Sequence, residues 1–137
     1  MNFNVSNDSP PREILKKYFV DFDWDSSEQA LTQAEFLKDT VWVIATEDDQ
    51  IRAFTALTIS SELPPPSKLA ILTHFIVPGE FQRRGFGRLL MSEVERLCSE
   101  RLISYISLHK AEGSAGFWMK MGFKELVGYQ DTMYKNI

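Results

Sequence analysis

Three arginines and two glycines crowd the short stretch QRRGFGR, residues 82–88, between an apolar run and a leucine-rich segment. The glycines allow backbone conformations that turn main-chain amides toward one point, and they let a ligand approach closely. The start of a helix adds unpaired N–H groups and a positive dipole end, which stabilise an anion. The residue types and their spacing therefore predict a phosphate site.

Two common phosphate loops do not match this bend. A P-loop needs Gly-Lys followed by Ser or Thr, and the chain contains no such tripeptide. A dinucleotide-binding fingerprint would place its third glycine at Leu90. An ordinary glycine-containing turn between a strand and a helix stays open as the alternative.

Hydrophobic patterning predicts that the bend joins a strand to a helix. The run LAILTHFIV, residues 69–77, is typical of a strand buried on both faces. Residues 87–102 have the pattern of an amphipathic helix, and residues 103–108 that of a second strand. A strand, a helix and a strand in this order predict a parallel βαβ unit. A short helix follows over 114–121, with Gly122 at its C-terminal cap.

The remaining segments predict a mixed sheet with helices. A strand over 2–6, helices over 10–22 and 23–39, hairpin strands over 40–46 and 51–60, a proline-rich loop over 61–68 and closing strands over 123–126 and 132–137 are expected. At 137 residues, the chain is most simply one α/β domain spanning residues 1–137.

Composition narrows the class of protein. Hydrophobic residues make up 44% and charged residues 25%, which are ordinary values for a soluble domain. Cys98 is the single cysteine, so we expect neither an internal disulfide nor a multi-cysteine metal site. The sequence shows no secretory signal pattern and no apolar run long enough to span a membrane. We therefore expect a cytoplasmic protein without membrane contact.

The charge is distributed unevenly along the chain. Residues 1–50 carry eleven acidic and four basic side chains, whereas residues 51–137 carry eight acidic and eleven basic ones. An acidic front half argues against nucleic acid as a partner. A basic back half is compatible with a small anionic ligand or with a solvated surface.

Two motifs in this order resemble the GNAT superfamily of N-acetyltransferases. QRRGFG, residues 82–87, resembles the family's acetyl-CoA motif [Q/R]-x-x-G-x-[G/A]. SAGFWMKMGF, residues 114–123, is similar to its second motif, a short helix ending in an aromatic residue, three further residues and Gly-Phe. The resemblance implies a single GNAT-like α/β domain. Its sheet would be mixed and mostly antiparallel, with splayed central parallel strands and about four helices.

The resemblance also implies positions for acetyl-CoA, the cosubstrate of the family. The pyrophosphate would lie on Gln82, Arg83, Arg84, Gly85, Phe86, Gly87 and Arg88. The pantetheine arm would pair with the end of the fourth strand at Phe75, Ile76 and Val77, since an extended polyamide can extend a strand edge. Phe117 and Trp118 would lie near the thioester, although plain core packing explains them equally well.

The chain departs from the family pattern at several positions. Many members have a tyrosine where Trp118 stands, and an indole N–H is too weak an acid to protonate a thiolate. Ala111 replaces an asparagine that is common at the start of the second motif. No catalytic acid is therefore identified.

A base with a pKa near neutrality assists attack by an amine, and two histidines are candidates. His109 lies just past the fifth strand and is our candidate catalytic residue, although a solvent-exposed loop position would also explain it. Strict alternation along the fourth strand would place Val77, Phe75, Thr73 and Ile71 on one face and His74 on the other. A bulge would reverse this assignment.

The acceptor is sought in the segment DFDWDSSE, between the first two helices. Its carboxylates, Asp21, Asp23, Asp25 and Glu28, would attract a cationic amine, or they would simply belong to a solvated turn. The sequence thus predicts an acetyl-CoA-dependent N-acetyltransferase acting on a small cationic amine, a protein lysine or an N-terminus. A CoA-binding sensor or interaction module without turnover is the alternative. We expect a monomer or a homodimer.

Overall fold

The structure is a computed structural model that describes residues 1–60 and 68–137. Except for Lys68, the predicted loop over 61–68 lies outside these residues. The elements are β1 Asn2–Ser6, α1 Arg12–Asp21, α2 Glu28–Glu35, β2 Thr40–Glu47, β3 Gln50–Ser60, β4 Leu69–Ile76, α3 Phe86–Glu100, β5 Tyr105–His109, α4 Ala115–Lys120, β6 Lys124–Glu125 and β7 Thr132–Asn136. One 3-10 turn, Gly79–Phe81, lies between β4 and α3.

Within the described ranges, seven strands form one mixed sheet in the order β1-β2-β3-β4-β5-β7-β6. Neighbouring strands pair antiparallel, except β4 and β5, which pair parallel through the α3 crossover. These ranges also contain four α-helices. The α/β architecture and the βαβ unit predicted from the sequence are confirmed.

The sheet is covered on both faces. The apolar stripe of α3, which includes Leu90, Val94 and Leu97, packs into one cluster of buried residues. A second cluster joins α1 and α2 to the other face, where Phe19 and Trp42 are buried. Full burial of a Val, Leu, Ile, Phe or Met side chain stabilises a fold by about 1.5–3 kcal/mol.

The first two helices are fixed to each other by polar contacts. Ser27 caps α2, because its hydroxyl oxygen accepts a 3.2 Å hydrogen bond from the Ala30 amide. Arg12, at the start of α1, forms ion pairs with Glu28 and Glu35 of α2. The ion pairs thus hold α1 and α2 together.

The parallel strands separate part-way along their length. The pairing of β4 with β5 runs from Leu69–Tyr105 to Leu72–Leu108, and β4 then continues to Ile76. Beyond that last pair, the β4 edge that faces β5 has no strand partner among the described residues. The predicted splay of the central strands is present, and it opens a gap in the sheet.

In the two described ranges, none of the helices is both long and apolar enough to cross a lipid bilayer. Nor do these residues include a cluster of three His, Cys, Asp or Glu side chains suited to a metal ion. Cys98 is buried in the α3 interface, and burial raises the pKa of its thiol to about 12. The thiol is therefore protonated at neutral pH.

Candidate active site

A cavity of about 690 Å³ occupies the gap between β4 and β5, and its lining residues include His74 on the α1 side of the sheet and Phe75 on the α3 side. Its walls come from the α1–α2 connection, the splayed strands, the bend before α3 and the start of α4. The lining residues are Phe22, Trp24, Leu72, Thr73, His74, Phe75, Val77, Phe81, Gln82, Arg83, Gly85, Phe86, Gly87, Arg88, Leu108, His109, Ala111, Ser114, Phe117, Trp118, Lys120 and Met121. The bend over 82–88 and both histidines thus contribute to one cavity.

The bend needs its two glycines for different reasons. Gly85 forms the N-cap of α3 with φ at +85°, in the left-handed region where a side chain is strained. A Cβ on Gly87 would lie 3.2 Å from Cζ of Phe117, closer than ordinary van der Waals contact. Gly85 therefore sets the turn, and Gly87 allows α3 to approach α4.

The amides at the start of α3 are suited to an anion. Within the described residues, no side chain caps the first turn of α3, and no acidic residue occurs in that turn. The Gln82 side-chain amide donates a 2.9 Å hydrogen bond to the Val77 carbonyl oxygen, which ties the bend to the end of β4. These N–H groups, with Arg83 and Arg88 in the same cavity wall, fit a phosphate group.

Phe81 packs against residues of the bend and against Arg52 of β3. The Arg52 guanidinium carbon lies 4.3 Å from the centroid of the Phe81 ring, within cation–π distance. Arg84 lies 5.9 Å from the same ring and 5.5 Å from the Phe86 ring. Arg84 is thus placed against the aromatic rings under the bend.

Most of the predicted cofactor-binding residues share the cavity. The lining includes Phe75, Val77, Gln82, Arg83, Gly85, Phe86, Gly87, Arg88 and Trp118, whereas Ile76 and Arg84 are not part of it. The Ile76 side chain is fully buried in the cluster beneath α1 and α2, so only its main chain is available to a ligand on the β4 edge.

Trp118 belongs to both the core and the cavity wall. It is 7% exposed, and its ring lies 5.0 Å from Phe75, 4.9 Å from Phe117 and 5.4 Å from Phe123, measured between centroids. All three contacts have the edge-to-face geometry that aromatic pairs favour. Trp118 therefore packs in the core and also lines the cavity, and its place near the thioester stays a prediction.

A β-bulge in β4 overturns the strict alternation expected from the sequence. Ala56 of β3 pairs with Thr73 and Phe54 pairs with Ile76, so β4 has an extra residue between these pairs. His74, inside this interval, has φ at +49°, an uncommon conformation for a residue other than glycine. Phe75 consequently packs against the α3 side of the sheet, with Leu72, while His74 faces α1.

Aromatic rings surround His74 and leave one side open to the cavity. Its ring stacks on Phe19 at 5.6 Å and lies 6.0 Å from Trp24 and 5.7 Å from Trp42, between centroids. Nδ1 lies 3.1 Å from Oγ1 of Thr73, a hydrogen-bonding distance. Burial lowers the pKa of His74 below its ordinary value of 6.5, so the imidazole is neutral at pH 7.

His109 lines the same cavity from the opposite strand. It is the last residue of β5, where it pairs with Thr132 of β7, and its side chain is exposed. The structure therefore brings both histidines to one cavity, His74 in its wall and His109 at its surface. The catalytic role assigned to His109 stays a prediction.

The four carboxylates expected near the acceptor are mostly engaged elsewhere. Asp21 lines a neighbouring cavity of about 430 Å³, together with Glu80 and Lys17. Asp25 accepts a 2.9 Å hydrogen bond from the Ser27 amide, which lowers the pKa of its carboxyl group. Glu28 is paired with Arg12, and neither Asp23 nor Asp25 lines either cavity within the described residues.

Sequence reasoning missed several lining residues, above all Phe22 and Trp24. Both belong to the segment DFDWDSSE, where they stand among four acidic side chains. The pair of large aromatic residues in a polar connection was the available signal. Thr73, Ser114 and Lys120 also line the cavity; Ser114 and Lys120 lie within the motif over 114–123, but sequence reasoning assigned them no role.

The family follows from a comparison with family models. The Acetyltransferase (GNAT) domain model matches residues 12–135. The chain belongs to this family. Its membership supports acetyl transfer in general and acetyl-CoA as the cosubstrate. The sequence matches no curated protein sequence at a significant level.

Solved GNAT structures share the fold at low sequence identity. Tetrahymena GCN5 is 16% identical, with a TM-score of 0.74 over 100% of this chain and 96% of that one. The ribosomal-protein-S18-alanine N-acetyltransferase of Escherichia coli is 16% identical, with a TM-score of 0.74 over 99% and 94%. A predicted acetyltransferase of Clostridium acetobutylicum, solved with acetyl-CoA, is 19% identical, with a TM-score of 0.74 over 93% and 92%.

Proposed function

We propose that this protein is an N-acetyltransferase that moves the acetyl group of acetyl-CoA to a primary amine in the cavity between β4 and β5. A single observation carries the proposal: one cavity contains both the uncapped, glycine-shaped start of α3 and a half-buried, neutral histidine. The first is suited to the CoA pyrophosphate, and the second is suited to receive a proton from the amine.

In this proposal, CoA lies along the splayed edge of β4. The pyrophosphate accepts hydrogen bonds from the amides between Gly85 and Arg88, with Arg83 nearby. The pantetheine amides pair with the main chain over 75–77, where β4 lacks a strand partner among the described residues. The thioester then lies near Phe117 and Trp118, and these two side chains form the cavity wall on the α4 side.

His74 is the base in the proposed reaction. The amine enters neutral, and its nitrogen attacks the thioester carbonyl carbon while the C–N bond forms. The attacking nitrogen becomes acidic as this bond forms, and the imidazole accepts its proton directly or through a water molecule. The C–S bond then breaks, the CoA thiolate leaves and is protonated from solvent, and His74 returns its proton to water.

The placement of His74 supports this role. Its side chain is wedged between aromatic rings, and Nδ1 is within hydrogen-bonding distance of Thr73, so the ring orientation is restricted. Backbone strain at a residue other than glycine occurs often at functional sites, and His74 has it. His109, at the surface of the same cavity, is the second candidate base, and its substitution is the natural comparison.

Acceptor-dependent thiol release tests the proposal. Acetyl-CoA is incubated with the full chain and with a polyamine, an aminoglycoside, free amino acids, an arylalkylamine or a lysine peptide in turn. Free thiol and acetylated amine are both quantified, and acetyl-CoA binding is measured calorimetrically on the same sample. We expect binding, and thiol and product in equal amounts with one acceptor class. Binding without release from any acceptor would instead favour a CoA-binding module.

A further inference from the structure

We infer that the acceptor is a primary amine on an apolar, aromatic body, an arylalkylamine, which binds against Trp24 and Phe22 beside His74. The inference rests on the proposed function and names the substrate class of the same site. It differs from the cationic acceptor expected from the sequence, because the structure places aromatic rings, and not carboxylates, at the acceptor side of the cavity.

The end of α1 places Trp24 at the cavity. The Asp23 amide donates to the Val20 carbonyl oxygen at 3.1 Å, and the Trp24 amide donates to the Phe19 carbonyl oxygen at 2.8 Å. These two bonds, with Asp23 at φ +58°, form a Schellman motif. The apolar contact that accompanies this motif is the Phe19–Trp24 pair, at 5.5 Å between centroids.

Trp24 then continues an aromatic surface into the cavity. Its ring lies 6.0 Å from Phe22 and 6.0 Å from His74, and it is 36% exposed. Phe22 also lines the cavity. An aromatic substrate body could therefore pack on Phe22 and Trp24 with its amine directed toward the imidazole.

The charged side chains that line the cavity do not favour the binding of a polycation. Its charged lining side chains, apart from the histidines, are Arg83, Arg88 and Lys120, and no carboxylate lines it within the described residues. Asp23 occupies the left-handed position of the Schellman motif, where Asp is tolerated for its backbone conformation. A second or third ammonium group would thus find no carboxylate to pair with, whereas a single amine loses its charge readily in an apolar site.

The neighbouring cavity is where a polycation would have to bind. It shares Phe22 and Gln82 with the main cavity, and its lining includes two carboxylates, those of Asp21 and Glu80, and one ammonium group, that of Lys17. A polyamine bound there would depend on Asp21 and not on Trp24. The two acceptor classes can therefore be distinguished by substitution.

The test compares kcat/KM for 2-phenylethylamine, spermidine, an aminoglycoside and a lysine peptide on the full chain. We expect 2-phenylethylamine to exceed spermidine in kcat/KM by about tenfold or more, because the extra ammonium groups of spermidine find no carboxylate in the cavity. Trp24→Ala should lower kcat/KM for 2-phenylethylamine about tenfold, with acetyl-CoA affinity unchanged, and Trp24→Phe should retain most of it. Asp21→Asn should leave kcat/KM for 2-phenylethylamine unchanged. Phe36→Ala is the matched control, since Phe36 is 78% exposed and lines neither cavity.

The opposite pattern overturns the inference while leaving the proposed function intact. In that pattern, thiol release would be faster with spermidine or the lysine peptide than with 2-phenylethylamine. Asp21→Asn would lower this release, and Trp24→Ala would not affect it. If no amine releases thiol, the proposed function fails, and calorimetric titration of 2-phenylethylamine into the protein–CoA complex decides the inference separately. Binding that Trp24→Ala abolishes would support the aromatic site, and absence of binding would overturn it.

Discussion

The hydroxyl group of Thr55 donates a 2.8 Å hydrogen bond to the carbonyl oxygen of Thr73, at the point where β4 leaves its regular pairing with β3. Thr55 is fully buried. The next residue after Thr73 is His74, with its positive φ. A buried side chain of β3 therefore secures the β-bulge that directs the proposed base into the cavity.

Thr55→Val removes this hydrogen bond while conserving the shape of the side chain. The Thr73 carbonyl oxygen loses its buried partner, so we expect a loss of about 1–3 kcal/mol in the free energy of unfolding. We also expect kcat to fall, because the bulge then holds His74 less firmly. Urea unfolding and steady-state kinetics measure the two effects, with Thr55→Ser as the control that keeps the hydroxyl. A Thr55→Val protein with unaltered stability and kcat would refute this role.

His74→Gln tests the proposed base directly. Glutamine cannot accept the proton, so we expect kcat to fall by about 10²- to 10³-fold, as for loss of a general base. The acetyl-CoA dissociation constant should stay the same, because the phosphate bend is untouched. His109→Gln is the comparison variant and should keep most of the activity. The reverse ranking of the two variants would assign the base to His109.

The lowered pKa of His74 makes stability depend on pH. The unfolded chain binds a proton at this histidine near pH 6.5, whereas the folded chain binds it only at lower pH. Stability from the half-buried, neutral imidazole is therefore present above pH 6.5 and is lost as the pH falls below it. Urea unfolding at pH 7.5 and pH 5.5 should show a smaller pH dependence for His74→Gln than for the unaltered protein. Equal dependences would show that His74 has no such shift.

The fold was largely predictable because its signals are local. Apolar periodicity located β4 and α3, and glycines marked the bend before α3 and the end of α4 at Gly122. The Gly122 amide donates to the Met119 carbonyl oxygen and the Phe123 amide to the Trp118 carbonyl oxygen, both at 3.0 Å, as a helix-ending glycine requires. Helix ends, turns and amphipathic elements that depend on local interactions can therefore be predicted without knowledge of tertiary contacts.

Gly87→Glu should abolish acetyl-CoA binding and leave the protein folded. The new side chain would place a carboxylate at the proposed phosphate site and crowd Phe117, whose ring would lie 3.2 Å from the added Cβ. We expect affinity to fall by about a hundredfold or more, since like charges in contact cost several kcal/mol. Gly116→Glu adds the same charge at a position with open space around its Cβ. Calorimetry should show near-normal binding for this control, and equal binding by both variants would refute the phosphate site.

Trp118→Ala should destabilise the protein more than it weakens CoA binding at the bend. The ring is nearly buried among Phe75, Phe117 and Phe123, so its removal leaves a cavity that costs about 3–5 kcal/mol. Trp118→Phe keeps much of the aromatic packing, so it should lower the free energy of unfolding by clearly less than Trp118→Ala. Thermal and urea unfolding of the two variants measure the difference. A Trp118→Ala protein as stable as Trp118→Phe would exclude the core role.

The site was harder to predict because tertiary contacts create it. Whether His74 faces α1 depends on a bulge, and the sequence of β4 alone does not reveal where β3 pairs with it. Trp24 reaches the cavity only because the end of α1 folds back on Phe19. The charge of the segment that contains Asp23 and Asp25 was plain in the sequence, but its hydrogen bonds and backbone conformation were not.

The most direct test of the central claim is acetyl-CoA binding and amine-dependent thiol release measured on one preparation of the full chain. We expect acetyl-CoA to bind, and thiol to appear only when an amine is added, with an equal amount of acetylated amine. Binding without thiol release from any amine would contradict catalysis in the cavity between β4 and β5. Absence of binding would contradict the phosphate site itself.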